Sequence, residues 1–145
     1  MTTATNADIT DIAKLIAKLD IGMLTTKAPD GTLHGRPMSN NGDVEYDGDT
    51  WFFAEDGSRK VSEIETDPAV QLGFIASDAA TWINVEGEAT IVRDDVDRKR
   101  DFWSDDLARW FPNGPEDPTV VLIKVQARRI DAWAKDGAWQ LDLRD

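Results

Sequence analysis

The stretch Trp51-Phe52-Phe53-Ala54-Glu55-Asp56-Gly57-Ser58-Arg59-Lys60 indicates a β-strand, a tight turn and the start of a helix. The aromatic run is typical of a strand, and Gly57 permits the backbone angles of a tight turn. The first N–H groups of a helix that begins near Ser58 have no partner within the helix, so they can bind an anion. These ten residues predict either a site for a phosphate-bearing ligand or an ordinary strand–turn–helix with a capping serine and two solvated cations.

The charge of the protein restricts its partners. The 145 residues include 16 basic and 28 acidic side chains, a formal net charge of 16 − 28 = −12. Nucleic acid needs a basic protein face, so we expect no nucleic-acid partner, and binding to an anionic membrane is disfavoured for the same reason. Any phosphate ligand must therefore be held by a local group of cations.

Length and composition predict one globular domain over residues 1–145. No run of residues approaches the 18 or more apolar residues of a membrane helix, and the first twenty residues do not resemble a signal peptide. The sequence has no cysteine and a single histidine, so we expect no disulfide, no metal site and a cytoplasmic location.

Short strands joined by tight turns dominate the pattern of the chain. Few connections are long enough for βαβ crossovers, so we expect a mostly antiparallel barrel with helices at its edges. The helices are predicted over Ile9–Asp20, Arg59–Thr66 and Asp94–Trp110. The strands are predicted over Ile21–Thr26, Leu33–Asn40, Val44–Tyr46, Thr50–Ala54, Val70–Ala76, Thr81–Val92 with a bend at Gly87, and Val120–Val125, and Ile130–Leu143 adds one more strand or a hairpin.

Three further features of the sequence each allow more than one interpretation. Arg36 lies near the centre of a predicted strand, where it points either to solvent or to a phosphate. Clustered tryptophans suit a planar ligand, a subunit interface or ordinary core packing, and five of the six lie in the later half of the chain. His34 is expected to be a surface residue on a hairpin strand, because no nucleophile motif accompanies it.

Several short motifs follow one another in a characteristic order between about Ile9 and Trp139. Together they resemble the flavin-binding split-barrel superfamily typified by pyridoxamine 5′-phosphate oxidase, and within it the bacterial general stress protein 26 family. The motifs are Gly22-Met23-Leu24-Thr25-Thr26, Gly35-Arg36-Pro37-Met38, Trp51-Phe52-Phe53, Ser58-Arg59-Lys60, Val85-Glu86-Gly87-Glu88-Ala89, and Trp110-Phe111-Pro112-Asn113-Gly114-Pro115-Glu116-Asp117-Pro118.

The resemblance implies a six-stranded antiparallel split β-barrel, a homodimer, and two flavin sites in the cleft between the chains. The implied cofactor is FMN, with FAD as the second candidate. By matching motifs, the flavin phosphate would be held by Arg36, Ser58 and Lys60, with Arg59 beside them. The isoalloxazine ring would be lined by Met38 and the Phe53-Ala54 backbone, and approached from elsewhere in the dimer by Trp82 and Trp133.

The function implied by this resemblance is flavin binding of the general stress protein type, either in an FMN-dependent oxidoreductase or in a non-catalytic flavin carrier. A pyridoxamine-phosphate oxidase or a deazaflavin-dependent reductase is a third hypothesis. The oxidase carries further substrate-phosphate residues on its terminal segment, where this chain has only Arg144, so oxidation of pyridoxamine phosphate is disfavoured. No side chain qualifies from the sequence as an acid–base catalyst.

Overall fold

A computed structural model describes residues 5–6, 9–16, 19, 21–39, 46–76, 80–135 and 137–143. The helices are α1 (Ile9–Ile16), α2 (Arg59–Thr66), α3 (Val96–Phe102) and a 3-10 helix at Asp105–Arg109. The strands are β1 (Thr5–Asn6), β2 (Ile21–Lys27), β3 (Leu33–Ser39), β4 (Asp49–Glu55), β5 (Ala69–Ala76), β6 (Thr81–Val92), β7 (Val120–Ala134) and β8 (Gly137–Asp142).

The described strands form one sheet in the order β1-β8-β7-β6-β5-β2-β3, and β4 pairs with β7. All pairs are antiparallel except the short parallel pair between β1 and β8. Strands β2 to β7 are the six that have seven or more residues. This mainly β architecture with peripheral helices confirms the predicted split-barrel fold class, and the sheet is not closed.

The sheet has one apolar face that contributes to the main core. The alternation along β2 buries Gly22, Leu24 and Thr26 and turns the residues between them outward. Leu24 pairs with Leu72 of β5, which pairs with Val85 of β6, so the buried residues of neighbouring strands share this face. Helix α2 adds Val61 and Ile64 to the same core.

A second, smaller core lies on the other face of β4 and β7. It contains Phe53, Val120 and Leu122, and the side chains of Trp103 and Phe111 pack against it. The rings of Phe53 and Trp103 meet edge to face with centroids 5.5 Å apart. Strand β4 is therefore buried on both faces, which explains why its sequence is a continuous apolar run rather than an alternating one.

The predicted helix over Asp94–Trp110 is wrong in its extent, because the chain forms α3 and then the 3-10 helix. Trp103 between them is extended, with φ −68° and ψ 139°. The ring of Phe102 packs against that of Trp51, with centroids 5.3 Å apart, and the ring of Trp103 packs against that of Phe53. Consecutive residues of a continuous α-helix point about 100° apart, so the break allows both rings to pack on β4.

Other boundaries differ less. The predicted bend of β6 is confirmed, since the pairing with β7 shifts register between Glu86 and Gly87. A side chain at Gly87 would lie 2.3 Å from the Gln126 carbonyl oxygen, which explains the glycine. The first helix is predicted to reach Asp20, but Leu19 is described and is not helical, so this prediction is wrong at that residue. Residues 17, 18 and 20 and the predicted strand residues Val44 and Glu45 lie outside the described residues, and Tyr46 is not in a strand.

The C-terminal segment forms a hairpin. Strand β7 continues from Val120 to Ala134, and β8 folds back on it with Trp133 opposite Ala138. No helix in the described part of the chain is long and apolar enough to cross a membrane.

Candidate functional site

The entrance to helix α2 contains a buried hydroxyl without a partner. Ser58 is the N-cap of α2, and its backbone N–H donates to the Glu55 carbonyl at 3.0 Å. Its side chain makes no capping hydrogen bond, and its Oγ is buried with no partner among the described residues. A buried hydroxyl without a partner is costly, so this atom is suited to receive an external group.

Arg36 on β3 reaches the same region from the core side of the sheet. Its Nη1 donates to the Leu24 carbonyl at 3.2 Å and to the Thr26 hydroxyl at 2.7 Å. Its Nη2 donates to Glu63 Oε1 at 3.2 Å. The side chain is only 21% exposed. The guanidinium is therefore fixed inside the fold and does not extend freely into solvent. Of the two predicted orientations of Arg36, the one towards solvent is not observed, and the contact with a phosphate stays a prediction.

Glu63 of α2 is the buried anion to which this group of side chains converges. Its Oε1 accepts from Thr26 at 2.7 Å, and its Oε2 contacts His34 Nδ1 at 2.8 Å and Arg59 Nε at 3.3 Å. The Thr26 hydroxyl and the His34 ring lower the pKa of Glu63 to about 2 and outweigh its burial, so the carboxylate stays charged.

Lys60 completes the group. Its half-burial and the positive charge of Arg36 lower its pKa, and the nearby carboxylate of Glu55 opposes the shift. It makes no ion pair with any described carboxylate. Arg36 and Arg59 thus both donate to one buried carboxylate, and Lys60 lies near Arg36. We call these three cations, together with Ser58, Thr26, His34 and Glu63, the α2-entrance cluster. Its surplus of positive charge suits an anion, and the electrostatic cost at Lys60 would fall when one binds.

The predicted ring-lining residues are divided between the two cores. Met38 and Ala54 are buried in the main core, whereas Phe53 on the other face of β4 belongs to the smaller core. Their side chains therefore do not share one surface. The prediction for the Phe53-Ala54 segment concerned its backbone, which ends next to Glu55 and the turn that leads to Ser58.

Trp82 and Trp133 lie on the outer face of the sheet. They are directly opposite each other on β6 and β7, and each is 47% exposed. Arg36 is paired with Leu24 on the inner face. The two tryptophans and the cations consequently occupy opposite faces of the sheet within one chain.

Sequence reasoning did not identify Thr26, His34 and Glu63 as members of the site. The predicted position of His34 on a hairpin strand is confirmed. The expectation that it is a surface residue is wrong, because its ring joins Glu63 to Arg59 and is only 25% exposed. The available signal was the spacing of His34, Arg36 and Met38, which places all three on one face of β3.

Similarity to known proteins identifies the family of this chain. The family model described as "Pyridoxamine 5′-phosphate oxidase like" matches residues 7–141. The chain belongs to this family. The family prediction from sequence is therefore confirmed.

Individual proteins are similar to this chain in sequence or in fold. The general stress protein 26 of Bacillus anthracis is 31% identical, with a TM-score of 0.72 over 86% of this chain and 89% of that one. A pyridoxamine 5′-phosphate oxidase-related, FMN binding protein of Nostoc punctiforme is 16% identical, with a TM-score of 0.72 over 83% of this chain and 79% of that one. Protein bli-3 of Neurospora crassa is 28% identical to this chain, and the match covers 81% of this chain and 60% of bli-3. The chain therefore spans less than two thirds of the length of this relative.

Proposed function

We propose that this family member binds a flavin, FMN or FAD, and that the α2-entrance cluster holds the phosphate of that flavin. The observation that carries the proposal is the buried Ser58 hydroxyl, which has no partner among the described residues, at the same helix entrance as the half-buried Lys60. A phosphate oxygen accepts hydrogen bonds, so it would satisfy the hydroxyl, a lysine ammonium and the first N–H groups of α2 together.

The charge of the cluster supports a phosphate in particular. Arg36 is held by three protein acceptors, yet a guanidinium has five N–H donors, so two remain for a ligand. Lys60 offers a compact charge with no described carboxylate paired to it. The protein as a whole is strongly acidic, so a local surplus of cations has a specific cause rather than reflecting composition.

A bound flavin would supply the redox chemistry, and the chain would supply binding, orientation and electrostatics. The name of the Nostoc punctiforme structure, which includes FMN binding, is consistent with this assignment. We further propose an oxidoreductase of the general stress protein type, located in the cytoplasm. Turnover with a nicotinamide donor would distinguish it from a flavin carrier.

We propose that the functional unit is a homodimer formed through the outer face of the sheet. Five apolar side chains there are each between 47% and 62% exposed: Ile21, Met23, Ile75, Trp82 and Trp133. Three of them form a continuous row across β5, β6 and β7, because Ile75 pairs with Trp82 and Trp82 pairs with Trp133. We call these three side chains the apolar row. A soluble chain seldom leaves such a row uncovered, and a second copy of the chain would cover it.

The phosphate proposal is tested by comparing FMN with riboflavin, which lacks the phosphate. Titration followed by tryptophan fluorescence should show tighter binding of FMN. Lys60→Ala removes one charge-assisted contact worth about 1.5–3 kcal/mol, so FMN should bind roughly 10- to 150-fold more weakly while riboflavin is unaffected.

Lys27→Ala is the matched control, because Lys27 pairs with Asp67 at 3.7 Å and is not part of the cluster. It should leave both affinities unchanged. Equal binding of FMN and riboflavin by the parent protein would overturn the phosphate assignment, as would an FMN affinity of Lys60→Ala within about twofold of the parent.

The dimer proposal is tested by sedimentation at micromolar concentration. Ile75→Glu places a charge within the apolar row, at its β5 end, and should give a monomer. Thr90→Glu adds the same charge at an exposed position on β6 outside the row, and it should stay dimeric. A monomeric parent protein would overturn the dimer.

A further inference from the structure

His34 lies between an anion and a cation, and this placement determines which ring nitrogen carries the proton. Its Nδ1 is 2.8 Å from Glu63 Oε2, and its Nε2 is 2.8 Å from Arg59 Nη2. An ionised carboxylate can only accept hydrogen bonds and a guanidinium can only donate them. Nδ1 must therefore carry the hydrogen, and the lone pair of Nε2 must accept from Arg59.

The same contacts exclude a protonated ring from this arrangement. Protonation of Nε2 would place two donors and two positive charges 2.8 Å apart, so the Arg59 guanidinium would have to move. Arg59 is able to do so, because its side chain is 68% exposed and its other contact is a 3.3 Å hydrogen bond from Nε to Glu63. Retention of Arg59 and protonation of His34 are mutually exclusive.

The charged groups around His34 come from three parts of the fold. Glu63 and Arg59 face it from α2, Asp30 acts on it from the turn before β3, and Arg36 follows on its own strand. On the neighbouring strand β2, the residue paired with His34 is the uncharged Thr26. The carboxylates of Glu63 and Asp30 favour protonation of the ring. The guanidinium groups of Arg59 and Arg36 oppose it, and of these two only Arg59 is exposed enough to withdraw into solvent.

We propose that His34 is a positioning residue for Arg59. The unprotonated ring holds the Arg59 guanidinium against β3, and protonation releases it to reach the anion at the entrance of α2. Arg59 is the first residue of that helix, between Ser58 and Lys60, so a released guanidinium lies next to the anion site. The identity of that anion as a flavin phosphate rests on the proposed function, whereas the positioning of Arg59 does not.

The first test uses the protein without flavin. Because His34 is the only histidine, the nitrogen resonances of its ring need no assignment by mutation. At about pH 8, where histidine is ordinarily neutral, NMR should show hydrogen on Nδ1 and an unprotonated Nε2. Hydrogen on Nε2 at that pH would overturn the proposal.

The second test uses two variants that fix the two states. His34→Gln places an amide oxygen near the position of Nε2 and should retain Arg59 at every pH. His34→Asn keeps a donor near the position of Nδ1 and leaves Arg59 without its acceptor. At about pH 8 the parent should bind FMN as His34→Gln does, with His34→Asn roughly 5- to 10-fold tighter.

At the lower pH at which the same nitrogen resonances show the ring to be protonated, the parent should approach His34→Asn instead. The phosphate of free FMN also titrates near pH 6, and this titration is common to all three experiments, so each affinity is expressed relative to His34→Gln. Arg59→Ala introduced into His34→Asn should abolish the gain in affinity.

The outcomes separate the two proposals. A ratio of the FMN affinity of the parent to that of His34→Gln that does not change once NMR shows the ring to be protonated would overturn the positioning role of His34. FMN binding no tighter than riboflavin at either pH would overturn the flavin-phosphate assignment, while the NMR result would still test how Arg59 is held.

Discussion

Helix α2 carries an ion cluster on each side, and the two differ in charge balance and burial. In the α2-entrance cluster, Glu63 is 4% exposed and is surrounded by Arg36, His34 and Arg59. On the other side, Arg93 donates to the carboxylates of Asp56 and Glu65 at distances down to 2.6 Å. Those three side chains are between 37% and 48% exposed.

The comparison shows that short ion pairs alone do not indicate a ligand site. Arg93 has two carboxylates, and its hydrogen bonds lower the pKa of both Asp56 and Glu65, so this cluster is complete and carries surplus negative charge. The α2-entrance cluster has surplus positive charge, a lysine whose pKa is lowered, and a hydroxyl without a described partner. An added anion would therefore stabilise the α2-entrance cluster and would destabilise the Arg93 cluster.

The largest expected effect is that of Glu63→Ala. Removing the buried carboxylate leaves Arg36 without its anion, and breaking a buried pair costs about 3 kcal/mol or more. We expect the melting temperature to fall by roughly 10 °C in calorimetry. A change as small as that of Glu65→Ala would show that burial does not distinguish the two clusters.

The response to acid should also depend on Glu63. Its pKa in the folded protein is about 2, below the ordinary value of 4.5, so its contribution to stability is fully present above pH 4.5 and is lost as the pH falls towards 2. Urea unfolding across that range should show a steeper loss of stability for the parent than for Glu63→Gln. Parallel curves would contradict the lowered pKa.

Ser58→Ala should separate ligand binding from stability. The Ser58 hydroxyl makes no capping bond, so its removal should change the free energy of unfolding by less than about 0.5 kcal/mol. If it binds the flavin phosphate, FMN affinity should fall roughly 3- to 10-fold, the value of one ordinary hydrogen bond. A loss of stability typical of an N-cap serine would show that the hydroxyl is structural.

The smallest expected effect on FMN affinity is that of Arg93→Ala. Exposed ion pairs contribute little, so the melting temperature should change by no more than about 3 °C. FMN affinity should stay unchanged, because this cluster carries surplus negative charge, which disfavours a phosphate. Weaker FMN binding by this variant would place the ligand on the other side of α2 from the proposed site.

Local sequence patterns determined most of the elements near the site. Helix α2 has the predicted bounds Arg59–Thr66, and β6 has the predicted bounds Thr81–Val92. Both follow from short-range chemistry, namely a glycine turn before a polar–apolar helical pattern and an alternating run interrupted by Gly87. The motif order was also sufficient to predict the family. The assignment of Arg36, Ser58, Arg59 and Lys60 to a flavin phosphate stays a prediction.

Only the tertiary structure showed the role of Glu63 and the orientation of the two sheet faces. Glu63 lies 37 residues from Thr26 and 29 from His34 along the chain, so no local pattern links them. Glu63 lies beside Val61 and Ile64 on the buried side of α2. A sequence pattern predicts an apolar residue at such a position and gives no reason to expect a buried carboxylate there. Burial is tolerated because Thr26, His34, Arg36 and Arg59 replace its water, and these partners come from three elements that meet only after the sheet has formed.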